Sequence, residues 1–446
     1  MSNLSIPTRA MQLLSNNRDS VVPTLVKDTM CNFTITDIYN KQASKEDGRE
    51  RAIEEFGTEA IWIGGIPFVK KVFDKIFYKK NNANPDFDIR NLKVENGVDR
   101  LDIAIKNTKD GAQKEFLSNI KENDSLKSLY KKLYISKFAV ATAIPLALLS
   151  GLIIFKQQST NKKLEEKMLA QKQEQQTTQA GGSLLSEVQK DLAKTGVYGA
   201  FTGQKNDISF GGAKEAIAEF MFNPLKNQSI LDVGITTTRL AQGRKGERLE
   251  IGYKELFTIG CYYFLGEPIQ KGLEAISKKV FKKPIATEYQ LLSNEKLSEM
   301  LTQEGLGKSI EELCKKDTKG VMEYVYQNDN ALVKMLKISG DIPTVKNSDG
   351  VIDSLAFMDT DKIKQGAKNI GELLEHTKGK GDIKKYLSQV KFAKGAAVIA
   401  NILITVGLVG VVQPMTTIMM RKAKNNGEAS NPAFKNIELE MKGKMA

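Results

Sequence analysis

One stretch constrains the fold of this chain more than any other, the uncharged residues Phe138–Phe155, FAVATAIPLALLSGLIIF. Lysine residues border it on both sides, Lys137 and Lys156. As a helix that rises about 1.5 Å per residue it would be about 27 Å long, close to the ~30 Å hydrocarbon core of a bilayer. The two lysine side chains are long enough to extend from its ends to the headgroups. The stretch therefore predicts a transmembrane helix over 138–155.

A second uncharged stretch, residues 395–420, predicts another transmembrane helix. It would be about 39 Å long, so it has room to tilt or to end early at Pro414. Asn401 lies inside it, and we expect this amide to form a hydrogen bond between helices. The alternative for both stretches is a buried hairpin in a soluble helical bundle, where so long an uncharged stretch bordered by lysines is rare.

Four pairs of similar segments occur in the same order in the two halves of the chain, which predicts an internal duplication. The pairs are residues 36–67 and 236–268, residues 96–102 and 349–355, residues 110–119 and 365–374, and KKLYISKFA at 131–139 with KKYLSQVKFA at 384–393. The offset grows from about 200 to about 254 along the chain. This growth predicts a helical insertion at 284–345 in the second unit.

These patterns predict a mostly α, internally duplicated helical membrane protein with two transmembrane helices and further amphipathic or interfacial helices. Its predicted parts are a polar N-terminal lead-in, a first repeat unit, a linker with a glycine-rich segment, and a second repeat unit. Their bounds are 1–28, 29–168, 169–228 and 229–446. Within the third part we expect a short helix at 184–194.

Two shorter apolar patches, residues 56–68 and 256–269, precede the long stretches. They are too short to span a bilayer and favour a buried, interfacial or re-entrant segment. If each unit crosses once, residues 156–394 lie on the side opposite to both termini and the two units are inverted. If the patches cross as well, the units are parallel. Residues 69–78 predict an amphipathic helix with a basic face, which suits anionic lipid.

No segment of the sequence predicts a catalytic, cofactor-binding or metal-binding residue. His376 is the only histidine, so histidine triads and zinc sites are not expected. Residues 305–313 resemble the end of a phosphate loop but have Thr302 where its first glycine belongs, which favours a plain helix N-terminus. Residues 345–356 lack the acidic ligands of a calcium loop and predict a turn.

Charged residues cluster at the start of each unit, just before its apolar patch. They are Arg49, Glu50, Glu54 and Glu55 in the first unit, and Arg244, Glu247 and Glu250 in the second. Paired acids at such positions could perform chemistry, but ion pairs between neighbouring turns of one helix are far commoner. We therefore expect pairs at i,i+4 on a solvated helix face.

The bulk composition narrows the partners. The net charge is +13, but lysine is spread along the chain and there is one tryptophan, so nucleic acid is not expected. Cys31, Cys261 and Cys314 lie far apart and predict reduced, mostly buried thiols. The first residues contain no apolar segment after a basic start, so no cleaved signal peptide is expected.

The first functional hypothesis is a non-enzymatic, multi-pass membrane protein with two spans that scaffolds the bilayer or has another structural or interaction role. Its expected partners are the lipid bilayer, anionic lipids among them, and further copies of the chain through the transmembrane helices. The alternative is a transport or pore component built from an inverted duplication. A second alternative is a soluble helical protein with buried apolar hairpins.

Overall fold

The computed structural model describes residues 6–15, 22–87, 89–92, 94–95, 98–108, 110–177, 224–244, 246–342, 344–347, 350–353 and 358–445. The predicted short helix at 184–194 and most of the predicted linker lie outside these residues. The described chain is mostly helical, as the sequence predicted.

The helices, numbered along the chain, fall into three groups. The first group is α1 (Ile6–Ser15), α2 (Val22–Gln42), α3 (Lys45–Ala60), α4 (Ile66–Phe73), α5 (Arg100–Asn107), α6 (Gly111–Glu122) and α7 (Asp124–Thr177). The second is α8 (Pro224–Gln242), α9 (Arg248–Ile259), α10 (Gly266–Phe281), α11 (Tyr289–Leu292), α12 (Leu297–Leu301), α13 (Leu306–Lys315), α14 (Thr318–Gln327) and α15 (Ala331–Ser339). The third is α16 (Thr360–Thr377), α17 (Ile383–Val406), α18 (Gln413–Lys424) and α19 (Pro432–Met445).

Two short antiparallel hairpins complete the secondary structure. Strand β1 (Val94–Glu95) pairs with β2 (Val98–Asp99), and β3 (Thr344–Asn347) pairs with β4 (Gly350–Asp353). Each hairpin lies in one of the matched sequence segments or directly beside it. The second hairpin replaces a calcium loop with a turn, as expected.

Polar side chains set where several helices begin. Asp110 accepts a hydrogen bond from the backbone of Ala112, and Asp382 accepts one from Lys385, at the starts of α6 and α17. The Asn123 side chain accepts from the backbone of Leu126 at 3.0 Å, where α6 gives way to α7. Such caps satisfy backbone N–H groups that have no partner within the helix. The predicted helix break at 123–124 is thereby confirmed.

Each apolar patch lies inside a continuous helical rod. In rod 1, α3 passes through a π-helical turn (Ile61–Gly65) into α4 and a second π-helical turn (Asp74–Tyr78). In rod 2, α9 passes through a π-helical turn (Gly260–Leu265) into α10. A π-helical turn adds one residue without ending the helix. The re-entrant interpretation of the patches is therefore wrong, because backbone hydrogen bonding continues through them.

Rod 1 runs antiparallel to α7 along the whole first apolar stretch. At one end the ammonium of Lys156 lies 2.9 Å from Glu54, and at the other the ammonium of Lys137 lies 2.6 Å from Asp74. Rod 2 lies antiparallel to α17 and α18 in the same way. Its Glu250 contacts Arg421 at 2.7 Å, and its Glu274 lies 3.9 Å from Lys394.

Both apolar helices run in the same direction. Arg51 contacts Glu54, which binds Lys156, and also Glu250, which binds Arg421. The C-terminal edges of the two apolar stretches therefore meet at one end of the bundle, here called the ion-pair end. Two consecutive crossings would run in opposite directions, so the inverted arrangement is wrong. Each long helix packs on its own antiparallel rod, and the rods meet at the ion-pair end.

Helices α2 and α8 fill the remaining sides of the bundle crosswise. Helix α2 precedes rod 1 but packs on α17, α18 and the π-helical turn (Gly407–Val412) between them, whereas α8 precedes rod 2 and packs on α7. Gly234 of α8 allows this contact, because a Cβ atom there would lie 2.8 Å from Leu146. Each unit thus packs its first helix on the long helix of the other.

Two compact lobes lie at the end opposite to the ion pairs. The first is built on the end of rod 1, α5, α6 and the start of α7, around Tyr78, Leu117 and Tyr130. The second contains α11–α16 and the start of α17, with Leu313 and Leu332 at its centre. The predicted insertion at 284–345 supplies α11–α15 of this second lobe.

Three predicted domain boundaries fall inside helices and need correction. The boundary at 28/29 lies within α2, that at 168/169 within α7, and that at 228/229 within α8. Each was placed where polarity changes along the sequence. A helix that passes from one environment to another changes polarity without ending, so composition marks a surface here rather than a boundary.

The outer faces of the two long helices are apolar throughout their uncharged stretches. The exposed residues are Ala139, Ala143, Ile144, Ala147, Leu148, Gly151, Ile154 and Phe155 in α7, and Ala396, Ile399, Leu403, Ile404, Val411, Val412, Met415 and Met419 in the second. By contrast, Asn401, Thr405 and Gln413 are buried. Both helices are long and apolar enough to cross a membrane.

Candidate functional site: an ion-pair layer beside a cavity

The charged starts of the two units meet inside the bundle and form one ion-pair layer. Ten of its thirteen members are buried, and the other three are nearly so. The layer contains seven carboxylates, Asp47, Glu50, Glu54, Glu55, Glu247, Glu250 and Glu255, and six cations, Arg51, Lys156, Arg239, Arg244, Lys254 and Arg421. If all are ionised, carboxylates outnumber cations by one.

Reciprocal ion pairs join the two rods within the layer. Arg51 of rod 1 donates to Glu250 of rod 2 at 2.6 Å, and Lys254 of rod 2 donates to Glu55 of rod 1. Each rod thus contributes both a cation and a carboxylate to the contact. Because all four groups are withdrawn from water, their attraction is screened little. The rods are therefore held in one register relative to each other.

Glu54 lies at the centre of the layer. Its carboxylate is 2.9 Å from Lys156, 3.0 Å from Arg239 and 3.5 Å from Lys254. Burial alone would raise the pKa of Glu54, but the surrounding cations, Lys156 foremost, outweigh burial and hold the pKa well below its ordinary value. The side chain is therefore ionised at neutral pH, which makes it unsuited to accept or donate protons there.

The C-terminal part of the chain closes the layer. Arg421 donates to Asp47 at 2.8 Å and to Glu250 at 2.7 Å. Asn431 donates its backbone N–H to Asp47 at 3.2 Å and its side-chain amide to Glu247. Burial alone would raise the pKa of Glu250, but the Arg421 charge leads the interactions that lower it below its ordinary value.

The predicted i,i+4 pairs on a solvated face are therefore wrong for these residues. The pairs within one helix are Arg51–Glu54 and Arg244–Glu247, both at i,i+3. The others join different helices, and Arg49 donates to Ser159 of α7 instead of to a carboxylate. A charged stripe that faces another charged stripe has the same periodicity as one that faces water. Only the repetition of the charged start in both units pointed to their contact.

A cavity of about 100 Å³ lies directly beside the ion-pair layer. It is enclosed by α2, rod 1, α8 and rod 2, and by Val409. Glu55, Arg239, Lys254 and Glu255 belong to both the layer and the cavity wall. The layer therefore closes the cavity on the side of the ion-pair end.

Acidic side chains line the cavity away from the layer. Glu59 accepts hydrogen bonds from the Thr29 hydroxyl and, at 3.0 Å, from the Asn32 amide. Asp28 shares a hydrogen bond with the Tyr262 hydroxyl. The hydroxyl and amide donors to these two carboxylates carry no charge. The cavity thus combines carboxylates held by neutral donors with the aromatic rings of Trp62 and Tyr262.

Most of the cavity wall consists of residues that occur in pairs 200 positions apart. The pairs are Asn32 and Asp232, Ile35 and Ile235, Glu55 and Glu255, Thr58 and Thr258, Glu59 and Ile259, and Trp62 and Tyr262. This spacing is the offset of the first pair of matched segments. The two units thus line the cavity with equivalent positions, although three of the pairs differ in polarity or charge.

Other residues singled out from the sequence lie elsewhere. Asn401 is buried, accepts from Lys27 at 2.9 Å and donates to the Gly266 carbonyl, so the predicted bond between helices is confirmed. His376 lies in the last turn of α16. Cys31 and Cys261 are buried in one cluster, and Cys314 is partly exposed in the second lobe.

Within the described residues, no group of three or more His, Cys, Asp or Glu side chains is arranged to hold a metal ion. Comparison with protein-family models, with curated proteins and with solved structures found no match. The function must therefore be argued from the geometry of the bundle.

Proposed function

We propose that the protein is an integral membrane protein whose bundle crosses the bilayer and holds a polar binding site inside it, as transport proteins do. One observation carries the first part: the uncharged stretches of both long helices expose only apolar side chains, while their buried positions include Asn401, Thr405 and Gln413. A soluble helix has the reverse arrangement, with its polar face in water. Lipid favours the arrangement found here.

Internal duplication is part of this proposal. The equivalent cavity positions 200 residues apart, the two rods with π-helical turns and the crosswise packing of α2 and α8 all support it. The two units are parallel rather than inverted, because both apolar helices end at the ion-pair layer. Two membrane-length helices in the same direction require a return crossing between them, so the protein has more than the two spans first expected.

The path of the chain adds one requirement. Helix α7 extends beyond the ion-pair end, whereas α8 approaches that end from the other side, since its Gly234 lies against Leu146 and the backbone of its Gln242 accepts from Gln157. Residues 178–223 therefore connect opposite ends of the bundle. In a membrane, this connection has to bring the chain from one face to the other.

The cavity favours a transport or binding role over scaffolding. A scaffold needs an apolar surface, and buried ionic groups give it no benefit, because well-packed apolar side chains are often at least as stabilising as a buried ion pair. Ionisable groups inside a membrane bundle are most often functional. In this protein they surround a cavity rather than a packed contact.

Scaffolding is the second candidate, and a specific feature supports it. At the end opposite to the ion pairs, rod 1 exposes Ile76 and Phe77 beside Lys75, and rod 2 exposes Phe281 beside Lys279. Aromatic and basic side chains together suit the headgroup region of an anionic leaflet. Both candidates require membrane insertion.

Membrane insertion is tested by alkaline carbonate extraction of cells that express the full chain, together with two matched variants. Leu148 is exposed in the middle of the α7 stretch, and Leu249 is exposed at the ion-pair end. In a bilayer, Leu148→Arg costs about 2.5–3.5 kcal/mol at a helix centre and lowers the membrane-bound amount, whereas Leu249→Arg is tolerated. Release of the wild type by carbonate, or equal behaviour of the two variants, would refute the proposal.

A further inference from the structure

The cavity beside the ion-pair layer carries more negative than positive charge. The layer has seven carboxylates for six cations, and Asp28 and Glu59 add two more carboxylates at the cavity. The nearby ammonium of Lys27 donates to Asn401 at 2.9 Å. Unbalanced charge inside a bundle with an apolar exterior is costly unless it is neutralised.

The shape and lining of the cavity indicate what can neutralise it. About 100 Å³ offers room for roughly three water molecules at their liquid volume, or for one small ion with a few heavy atoms. Carboxylate oxygens accept hydrogen bonds from an N–H cation, and aromatic faces attract such cations. Trp62 and Tyr262 supply the rings, from equivalent positions of the two units.

From this combination we propose that the cavity binds a small ammonium-type cation, with Asp28 and Glu59 as its hydrogen-bond acceptors and Trp62 and Tyr262 as its aromatic neighbours. The inference rests on the proposed function for its biological setting, since it names the ligand class of the site in the membrane bundle. The binding itself follows from the cavity and is measured independently of the membrane.

The chain contains a built-in reporter for this binding. Trp62 lines the cavity and is the only tryptophan of the sequence, so intrinsic fluorescence reports on this site alone. The experiment titrates the purified full chain in detergent with methylammonium chloride, with choline chloride holding the ionic strength constant. We expect a saturable change in fluorescence, reproduced by ammonium chloride and weaker by at least ten-fold for potassium and sodium.

Matched variants locate the site. Asp28→Asn and Glu59→Gln should each weaken the apparent affinity by at least ten-fold. Asp37→Asn removes the same charge from an exposed position of α2 and should titrate like the wild type. If Asp28→Asn fails to fold, Glu59→Gln and the ion selectivity of the wild type still decide the question.

Several results would overturn the inference. These are the absence of a saturable response, an equal or stronger response to potassium, or an unchanged affinity in both cavity variants. A response that follows pH alone, with no competition from methylammonium, would show that protons neutralise the carboxylates instead. Saturable binding by a protein that carbonate releases from membranes would refute the proposed function and leave the inference standing. A membrane-bound protein without a response would do the opposite.

Discussion

Arg51 in α3 donates to Glu250 in α9 at 2.6 Å, although 199 positions separate the two residues in the chain. The contact joins the two units at the level where both apolar stretches end. Lys254 returns the contact by donating to Glu55. Reciprocal pairs of this kind fix the rods side by side, and the cavity lies directly beside them. The stability of the layer therefore determines the shape of the site.

Arg421 provides the sharpest test of the layer, because its neighbour in the sequence is a natural control. Arg421→Met leaves Asp47 without its cation and removes one of the two arginines on Glu250. Removal of one partner from a buried ion pair costs about 3–5 kcal/mol. We expect a clearly lower midpoint of thermal unfolding for the purified protein, followed by circular dichroism in one detergent.

The control variant is Lys422→Met, which removes the same charge from an exposed side chain. It should leave the unfolding midpoint nearly unchanged, since exposed charges contribute at most about 1 kcal/mol. Equal effects of the two substitutions would show that the layer is solvated and contributes no specific stability.

Glu54 gives the layer a pH dependence of known sign. Its pKa is lowered in the folded protein, so its contribution to stability is fully present above its ordinary value of 4.5 and is lost as the pH falls through the folded pKa. The difference in unfolding midpoint between the wild type and Glu54→Gln should be constant between about pH 8 and pH 5. It should shrink at lower pH, because protonated Glu54 resembles glutamine.

Glu122 is exposed at the end of α6, and Glu122→Gln serves as the control for this series. Its midpoint should follow that of the wild type at every pH. A difference between wild type and Glu54→Gln that changes between pH 8 and pH 5 would contradict the lowered pKa.

Local patterns predicted the helices of this fold but not the contacts between them. The uncharged stretch at 138–155, the basic amphipathic segment at 69–78 and the break at 123–124 depend on nearest neighbours, and the structure has a helix or a helix end at each. The ion-pair layer depends on residues about 200 positions apart, and no helical period contains that information. Equal spacing of Glu55 and Glu255 within matched segments was the available signal.

The direction of the second apolar helix was equally hidden. Whether two helices run parallel depends on how many times the chain crosses between them, and rod 2 resembled a short patch because its π-helical turn interrupts the helical period. The domain boundaries failed for a related reason. Helix α7 is one helix from Asp124 to Thr177, although its composition changes from apolar to polar at Lys156.

Gly57 sets the distance between rod 1 and α7. A Cβ atom at this position would lie 2.6 Å from the Leu152 side chain, whereas one at Gly64 would meet nothing within 4 Å. Gly57→Leu should therefore separate the two helices and lower the unfolding midpoint by several degrees. Gly64→Leu, in the same rod, should have little effect.

Leu152→Ala in the Gly57→Leu background should recover part of the loss, since it removes the side chain that clashes. Tolerance of Gly57→Leu without this second change would show that rod 1 does not pack closely on α7.

Both apolar helices run toward the ion-pair end, and single cysteines can test this directly. Cys31 and Cys261 are buried and should not react, so Cys314→Ser supplies a silent background for new cysteines. Gln158 and Lys422 are exposed just beyond the two apolar stretches, and Lys315 is exposed on the second lobe at the opposite end. In sealed vesicles of one orientation, an impermeant thiol reagent should label Gln158→Cys and Lys422→Cys from the same face. It should label Lys315→Cys from the other face, because the membrane lies between the ion pairs and the lobes. Labelling of the first two from opposite faces would restore the inverted arrangement, and labelling of all three from one face would mean that the bundle does not span the bilayer.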